Sequence, residues 1–375
     1  MIPFNKISIT DVEKNNINKA LSSNKICGDG EFTKLCNEWF KNRFHIENIM
    51  LTTSCSHALD MSALLLDLSK GDEVLVPSYT FVSTVNAIML RGATPIFIDI
   101  DKATMNMDAN LIEEKITSKT KAIYCVHYAG VACDMDKIME IANKYNLKVV
   151  EDAAQGVGAF YKGKPLGTIG DYGCFSFHET KNYAMGEGGA LIAKSKDGYL
   201  KAEIIREKGT DRSQFIRGMV DKYTWREIGS SFLPSDILAA LLYGQLERFD
   251  EIMEKRMSIW NRYNDGFEEL ERSGKLRRQY IPSHSTHNAH MYYLILNSNK
   301  ERDELISNLK LKGIIAAFHY IPLHNSPMGK KIGYKEGDLP VTEEYASRLV
   351  RLPLWADMSD DEVKFVIDSV KEILK

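Results

Sequence analysis

The sequence predicts an α/β protein in two parts: a large, mainly parallel-sheet domain over residues 1–248 and a smaller C-terminal α+β domain over 249–375. Strand-like runs dense in Val, Ile and Leu recur between helical patterns, as expected of a parallel sheet covered on both faces. Near Arg248 that alternation stops and a long helical pattern begins. The chain has 375 residues, more than a single core usually supports.

The first amphipathic stretch, "EFTKLCNEWFKNRF" (31–44), sets Phe32, Leu35, Cys36, Trp39 and Phe40 on one helical face. "NIMLTTSCSHALDMSALLLDL" reads as a short strand, a Ser/Thr turn and a helix that starts near Ser54 to Ser56. Four more strands follow in "DEVLVPSYTF", "ATPIFIDI", "KAIYCVHYAG" and "LKVVEDAAQ". The helical patterns "FVSTVNAIMLRG" and "MDKIMEIANKYN" lie between them. "GCFSF" is a further strand, ahead of a turn and the glycine cluster "GEGG" (186–189). In "IGSSFLPSDILAALLYGQLERF", Ile237, Ala240, Leu241 and Gln245 follow helical spacing beneath a Ser-Ser turn. "FDEIMEKRMSIWNRYNDGFEELER" predicts one long bridging helix, and "HMYYLIL", "KERDELISNLKLKG" and "IIAAFHYIP" predict a strand–helix–strand unit. The last helix opens with a capping box, Ser359 and Glu362, and is expected to bury Val363, Val366, Ile367 and Val370.

Bulk properties narrow the function. The net charge is -3, with 44% apolar and 26% charged residues, which argues against nucleic-acid and anionic-membrane partners. No apolar run approaches the roughly 18 residues of a membrane span, and "MIPFNKISITDVEKNN" lacks the layout of a signal peptide. The six cysteines are scattered without a CxxC pair, so a reducing cytoplasmic compartment is expected, with no disulfide and no metal site.

Chemistry in such sheets gathers at the carboxyl ends of strands. Asp152 and Gln155 end one strand, in "VVEDAAQ". Ser54, Cys55 and Ser56 lie between another strand and the helix after it. Ser176 and Lys181 lie on the turn after a third. Singly each has a plain structural reading: a helix cap, a tight turn, a solvated lysine. Together they supply what pyridoxal 5'-phosphate needs. Lys181 offers the amine for a Schiff base, and Asp152 the carboxylate that keeps the ring nitrogen protonated. Gln155 can reach the ring hydroxyl. The amides near Cys55 and Ser56, with the hydroxyls of Ser56 and Ser176, suit a phosphate at a helix N-terminus. Phe81 can stack on the ring, with the small Ala154 opposite.

"EDAAQ", "SFHETKN" followed by "GEGGAL", "PSYTFVST" and "FHYIPLH" resemble the fold type I nucleotide-sugar aminotransferases, across essentially the whole chain. The resemblance implies the PLP-dependent transferase fold type I, with Lys181 as the Schiff-base lysine and Asp152 and Gln155 on the ring. The segments "CGDGEFT", "HYAGVACDMD", "REKGTDRSQFIRG" and "VDKYTWREIGSS" are most similar to the subgroup that moves an amino group from glutamate to C4 of dTDP-4-dehydro-6-deoxyglucose. It also implies a homodimer with shared sites. Many relatives place an asparagine from a "GYNYR"-like segment on the partner's cofactor phosphate; here that stretch reads "GSSFLPSD", with Ser231 in its place. Relatives also direct the segment holding Tyr320 and His324 toward the active site, so both are candidates for the nucleotide sugar. His127 and His178 are read as structural, and Arg206 either as a substrate contact or as a helix-surface ion pair. A sugar dehydratase is a rival within the family, but such enzymes replace the lysine with histidine. A catalytically idle binding protein is another rival, disfavoured by the intact lysine, aspartate and phosphate turn.

Overall fold

A computed structural model describes all residues 1–375. Helix α1 (Asp11–Ser22) begins with a capping box of Thr10 and Glu13. Helix α2 (Glu31–Phe44) starts at Gly30, which has no side chain to cap with; Asp236 instead accepts from the amides of Phe32 at 3.1 Å and Thr33 at 2.8 Å. Strands and helices then alternate: β1 (Ile49–Thr52), α3 (Cys55–Leu65), β2 (Glu73–Pro77), α4 (Val82–Leu90), β3 (Thr94–Ile98), β4 (Thr120–Val126), α5 (Met135–Tyr145) and β5 (Lys148–Asp152). A small hairpin, β6 (Phe160–Tyr161) and β7 (Lys164–Pro165), precedes β8 (Tyr172–Ser176) and β9 (Gly189–Ala193). Helices α6 (Lys196–Arg206), α7 (Arg212–Ile216), α8 (Asp236–Glu247), α9 (Phe249–Gly266) and α10 (Glu268–Arg272) lead to β10 (Leu276–Arg278), β11 (Ser285–Thr286) and β12 (Tyr292–Leu296). The chain ends with α11 (Asn299–Leu311), α12 (Pro327–Lys331), α13 (Pro340–Arg348), β13 (Leu349–Leu352) and α14 (Asp360–Ile373).

The main sheet has the order β1-β9-β8-β5-β4-β2-β3, with β3, β2, β4, β5 and β8 parallel and β9 antiparallel to its neighbours. Apolar cores cover both faces, one holding Phe40, Ile123, Phe175 and Leu242, the other Leu59, Val76, Val150 and Leu191. This is the α/β architecture the apolar runs predict. A second, antiparallel sheet, β10-β12-β13, packs on α9, α11 and α14 around its own core, which includes Ile2 from the N-terminus. Between the two units lies a cluster containing Tyr79, Tyr128, Tyr293 and Leu349. No helix is long and apolar enough to cross a membrane.

Three expectations are corrected. The bridging helix breaks at Phe267 into α9 and α10. "IIAAFHYIP" is not a strand: it makes only single bridges, Ile2 to Ile314 and Ala317 to Arg351, before turning toward the main sheet. The strand beside β12 is instead β13. In α8, Ala240 and Gln245 of the expected set are buried, but Ile237 and Leu241 are only half-buried while Ala239, Leu242 and Leu246 are buried, because the helix packs on both α1 and α2. The final helix does open with the Ser359–Glu362 capping box and buries Val363, Val366 and Val370, while Ile367 is half-buried.

The end of β5 is fixed by a buried carboxylate. Glu151 accepts from the amides of Gly167 at 2.8 Å, Ile169 at 2.6 Å and Gly170 at 2.6 Å, and from His127 Nε2 at 2.8 Å. The His127 ring is itself a structural element, since its Nδ1 accepts from the Cys133 amide at 3.1 Å. Burial pushes the Glu151 pKa up, but His127 and the glycine amides outweigh it, so the net shift is downward. A lowered folded-state pKa stabilises above the unfolded value and loses that contribution as pH falls through the folded one. Glu151→Ala is therefore expected to cost about 3–5 kcal/mol near neutral pH, read by denaturant unfolding. The gap between wild type and Glu151→Gln should narrow as pH falls below the ordinary value of 4.5. A gap that widens in acid would contradict the assignment.

Candidate active site

The carboxyl ends of β1, β5 and β8 open on one cavity of about 560 Å³. Lys181, Asp152, Gln155, Cys55, Ser56, Phe81, Ala154, Ser176 and Tyr320 all line it. Lys181 sits on the loop after β8, whose backbone is fixed by the Lys181 amide donating to the His178 carbonyl at 2.9 Å. No carboxylate lies within ion-pair distance of its amine. Burial lowers its pKa from the usual lysine value; Cys55 and Asp152 oppose the shift and Arg351 adds to it. A lowered pKa raises the fraction of neutral amine, the form that can act as nucleophile or base.

Asp152 is 5% exposed. Its Oδ2 accepts from Thr84 Oγ1 at 2.6 Å and its Oδ1 from the Ala154 amide at 3.1 Å. Burial raises its pKa against those hydrogen bonds and the field of Lys181. It forms no salt bridge, so it is a buried carboxylate without a bonded cation. Such a group calls for a cationic partner, or else takes up a proton.

At the other end of the cavity, Ser54 caps α3 by accepting from the His57 amide at 3.0 Å. The amides of Cys55 and Ser56, in the first turn, have no intrahelical acceptor. Ser56 Oγ lies 2.6 Å from Ser83 Oγ, adding hydroxyls to the same turn. The glycine cluster serves this turn by allowing a close backbone approach. A Cβ on Gly189 would meet the Cys55 nitrogen at 2.4 Å, so only glycine lets β9 start this close to the helix end.

Gln155 Oε1 accepts from the Ala129 amide at 2.6 Å, and its Nε2 lies 3.4 Å from the Tyr320 hydroxyl. Phe81 is an exposed aromatic at the start of α4, its ring 6.0 Å from that of Tyr320. Two expected residues are absent from the cavity wall. His324 is fully buried, between Ser78 Oγ at 2.6 Å and Glu343 at 2.8 Å. Its proposed sugar contact is corrected: both ring nitrogens already have protein partners. Ser231 is exposed outside this chain's own cavity, with its backbone paired to Glu207. Arg206 is neither a substrate contact nor a surface pair; it is buried, with Nη2 donating to both Asp29 oxygens at 2.8 and 2.9 Å. His178, read as structural, bonds Thr180 yet also lines the cavity.

The sequence reading missed His290, His319 and Arg351, which reach the cavity from the C-terminal unit, and Phe4 from the N-terminus. His290 Nδ1 lies 2.9 Å from Asn182 Oδ1, while Asn182 Nδ2 donates to the Asn288 carbonyl at 2.8 Å. Nδ1 must therefore carry the proton, which leaves Nε2 as an acceptor. Burial, then Lys181, Arg351 and Arg256, hold His290 well below the usual imidazole range. "AHMYY" reads as a strand from its aromatic and apolar run, and nothing local marks its first histidine as a site residue.

A lysine amine without an acceptor, a cation-seeking buried carboxylate and a helix end with free amides and hydroxyls fit pyridoxal phosphate. The comparisons agree. The model of the DegT/DnrJ/EryC1/StrS aminotransferase family matches residues 8–371. The chain is 33% identical to GDP-perosamine synthase of Escherichia coli O157:H7 over 99% of this chain and 98% of that protein. It is 36% identical to the spore coat polysaccharide biosynthesis protein SpsC of Bacillus subtilis, covering 88% and 86%. Spr1654 from Streptococcus pneumoniae superposes in its PMP form with a TM-score of 0.93 at 28% identity, covering 100% and 99%; its PLP form gives 0.91.

Asp152→Asn keeps the shape and a hydrogen bond but removes the buried charge from the cavity. Turnover is expected to fall by the equivalent of about 2–4 kcal/mol, the scale of one preorganised electrostatic contact. An unchanged rate in steady-state kinetics would place the functional carboxylate elsewhere.

Proposed function

The chain belongs to the DegT/DnrJ/EryC1/StrS aminotransferase family of PLP-dependent sugar aminotransferases, and within it we propose a specific reaction. The amino group of glutamate goes to the 4-keto carbon of dTDP-4-dehydro-6-deoxyglucose. The product is dTDP-4-amino-4,6-dideoxygalactose, a surface-polysaccharide precursor, made in the cytoplasm. The observation that carries the chemistry is the unpaired Lys181 amine sharing a buried cavity with Asp152. The sugar reading is supported by the subgroup-like segments "CGDGEFT", "HYAGVACDMD" and "REKGTDRSQFIRG".

Bound pyridoxal phosphate supplies the electron sink and carries the amino group between donor and acceptor. The first turn of α3, with Ser56 and Ser176, would hold its phosphate. Asp152 would hold the proton on the ring nitrogen. Gln155, its Oε1 already taken by the Ala129 amide and one Nε2 hydrogen directed at the Tyr320 hydroxyl, has its second Nε2 hydrogen to donate to the ring oxygen. Lys181 Nζ takes the proton from the donor's α-carbon and, in the second half-reaction, delivers one to the sugar carbon. In the proposed division at residues 248/249, the first domain carries these groups. The second reaches into the same cavity with Tyr320 and Arg351.

The direct test is amination of a panel of dTDP-, UDP- and GDP-linked 3-keto and 4-keto sugars, with product configuration read by NMR. The expected best acceptor is dTDP-4-dehydro-6-deoxyglucose, giving an axial 4-amine. Faster amination of a GDP-linked sugar, the class in the name of one relative, would replace this reading with the alternative acceptor. Lys181→Ala should bind the cofactor yet lose turnover, and borohydride reduction of wild type should label the peptide holding Lys181 and no other.

We also propose a homodimer in which Ser231 reaches the partner's cofactor phosphate. The support is the stretch around it: Ile216, Met219, Tyr223 and Ile228 are exposed, and Trp225 is 76% exposed. Ser231→Ala is expected to weaken PLP binding about tenfold, the loss of one charge-assisted hydrogen bond. Mixing Lys181→Ala with Ser231→Ala chains should restore some activity through heterodimers with one intact site. A monomeric active species in sedimentation would defeat this arrangement.

A further inference from the structure

We propose that Arg351 and His319 form the subsite that receives a carboxylate of the amino acid donor; this rests on the aminotransferase reading above. Arg351 lies on β13 and lines the same cavity as Lys181. No Asp or Glu lies within ion-pair distance of it, and its Nε is buried without an acceptor. Its Nη1 donates to His319 Nδ1 at 2.9 Å. A guanidinium only donates, so this bond fixes the histidine proton on Nε2. Burial and then the Arg351 charge hold the His319 pKa down to about 4, which keeps that ring neutral. The pair therefore presents donors that lack acceptors.

Three separate segments hold the pair in place. The Phe4 ring lies 4.8 Å below the guanidinium and meets the His319 ring edge-on at 5.8 Å. The His319 carbonyl accepts from the Tyr128 hydroxyl at 2.9 Å and also from the Tyr79 hydroxyl. Ala317 and Arg351 exchange backbone hydrogen bonds at 3.0 and 2.7 Å, tying the loop to β13. A preorganised guanidinium with no anion is costly to keep unless a ligand completes it.

A planar carboxylate fits this fork, and its source is the donor rather than the nucleotide. The Arg351 charge acts on Lys181 itself. In an amino acid the carboxylate is one bond from the carbon whose proton Lys181 takes. The pyrophosphate of a nucleotide sugar is separated from the ketone by the sugar ring.

The test uses holoenzyme and the variants Arg351→Met and Arg351→Lys, with L-glutamate alone driving the first half-reaction, followed by loss of the cofactor's visible absorbance. Calorimetry with maleate, an unreactive dicarboxylate, reads binding without turnover. In Arg351→Met, half-saturating glutamate is expected to rise about tenfold or more, the scale of one charge-assisted contact. Maleate binding should weaken likewise, and Arg351→Lys should recover part of both. The sugar half-reaction, started from the aminated cofactor, should keep its acceptor affinity within about twofold. Unchanged glutamate and maleate affinities in Arg351→Met would overturn the proposal. So would a loss confined to the sugar acceptor, which would move the guanidinium to the pyrophosphate. Near-wild-type affinities in Arg351→Lys with a folded Arg351→Met showing none of these losses would do the same. Because the donor half-reaction needs no sugar, failure of every tested acceptor would sink the sugar reading without touching this one.

Discussion

The active cavity depends on two consecutive carboxylates at the end of β5. Side chains alternate faces along a strand, so Glu151 and Asp152 point to opposite sides of the sheet. Glu151 is fully buried, with three backbone amides and His127 satisfying it. That fixes where β5 stops and how the 167–170 turn packs beneath it. Asp152, one residue on, is thereby aimed into the cavity, with Thr84 and the Ala154 amide setting its direction. A structural anion on one face positions a functional anion on the other.

The α3 end of the cavity follows the same logic with backbone in place of side chains. β9 runs antiparallel beside β1 and β8, and its first residue must pass the N-terminus of α3. Gly189 permits that approach; any Cβ would collide with the Ser54–Cys55 peptide. The helix end therefore faces the cavity with its first amides free, a ready site for an anion.

Much of this was legible in the sequence because the signals are local. Lys181, Ser54 to Ser56, Asp152 and Gln155 each sit one turn or less from the end of an apolar run, and strand ends are where such sheets place chemistry. The contributions of His290 and Arg351 were not legible, since nothing within a few residues of either announces a cavity more than a hundred positions away in sequence from Lys181 or Asp152, and His319 was passed over beside Tyr320 because its approach depends on how the 314–320 loop turns. His324 shows the limit from the other side. Its segment does approach the site, but Ser78 and Glu343 claim the imidazole before any ligand could. "IIAAFHYIP" misled for a related reason. Its apolar start resembles a strand, yet its function is to carry His319 and Tyr320 away from the second sheet and toward the first.

The charges of the cavity together describe the ligand it is built for. Burial shifts Lys181 down and Asp152 up, so each is disfavoured as an ion by the same loss of water. Neither shift is cancelled by pairing the two side chains, because no salt bridge joins them. The neutral His290 and His319 add no charge, and Arg351 stands without a counter-ion. A molecule that completes this arrangement must bring positive charge to Asp152 and negative charge to the α3 end. Pyridoxal phosphate, with a protonated ring nitrogen at one end and a phosphate at the other, carries its charges in that order. A protonated ring nitrogen there would give Asp152 the cation it lacks, and the burial that lowers the Lys181 pKa would favour the neutral amine whenever that amine is free.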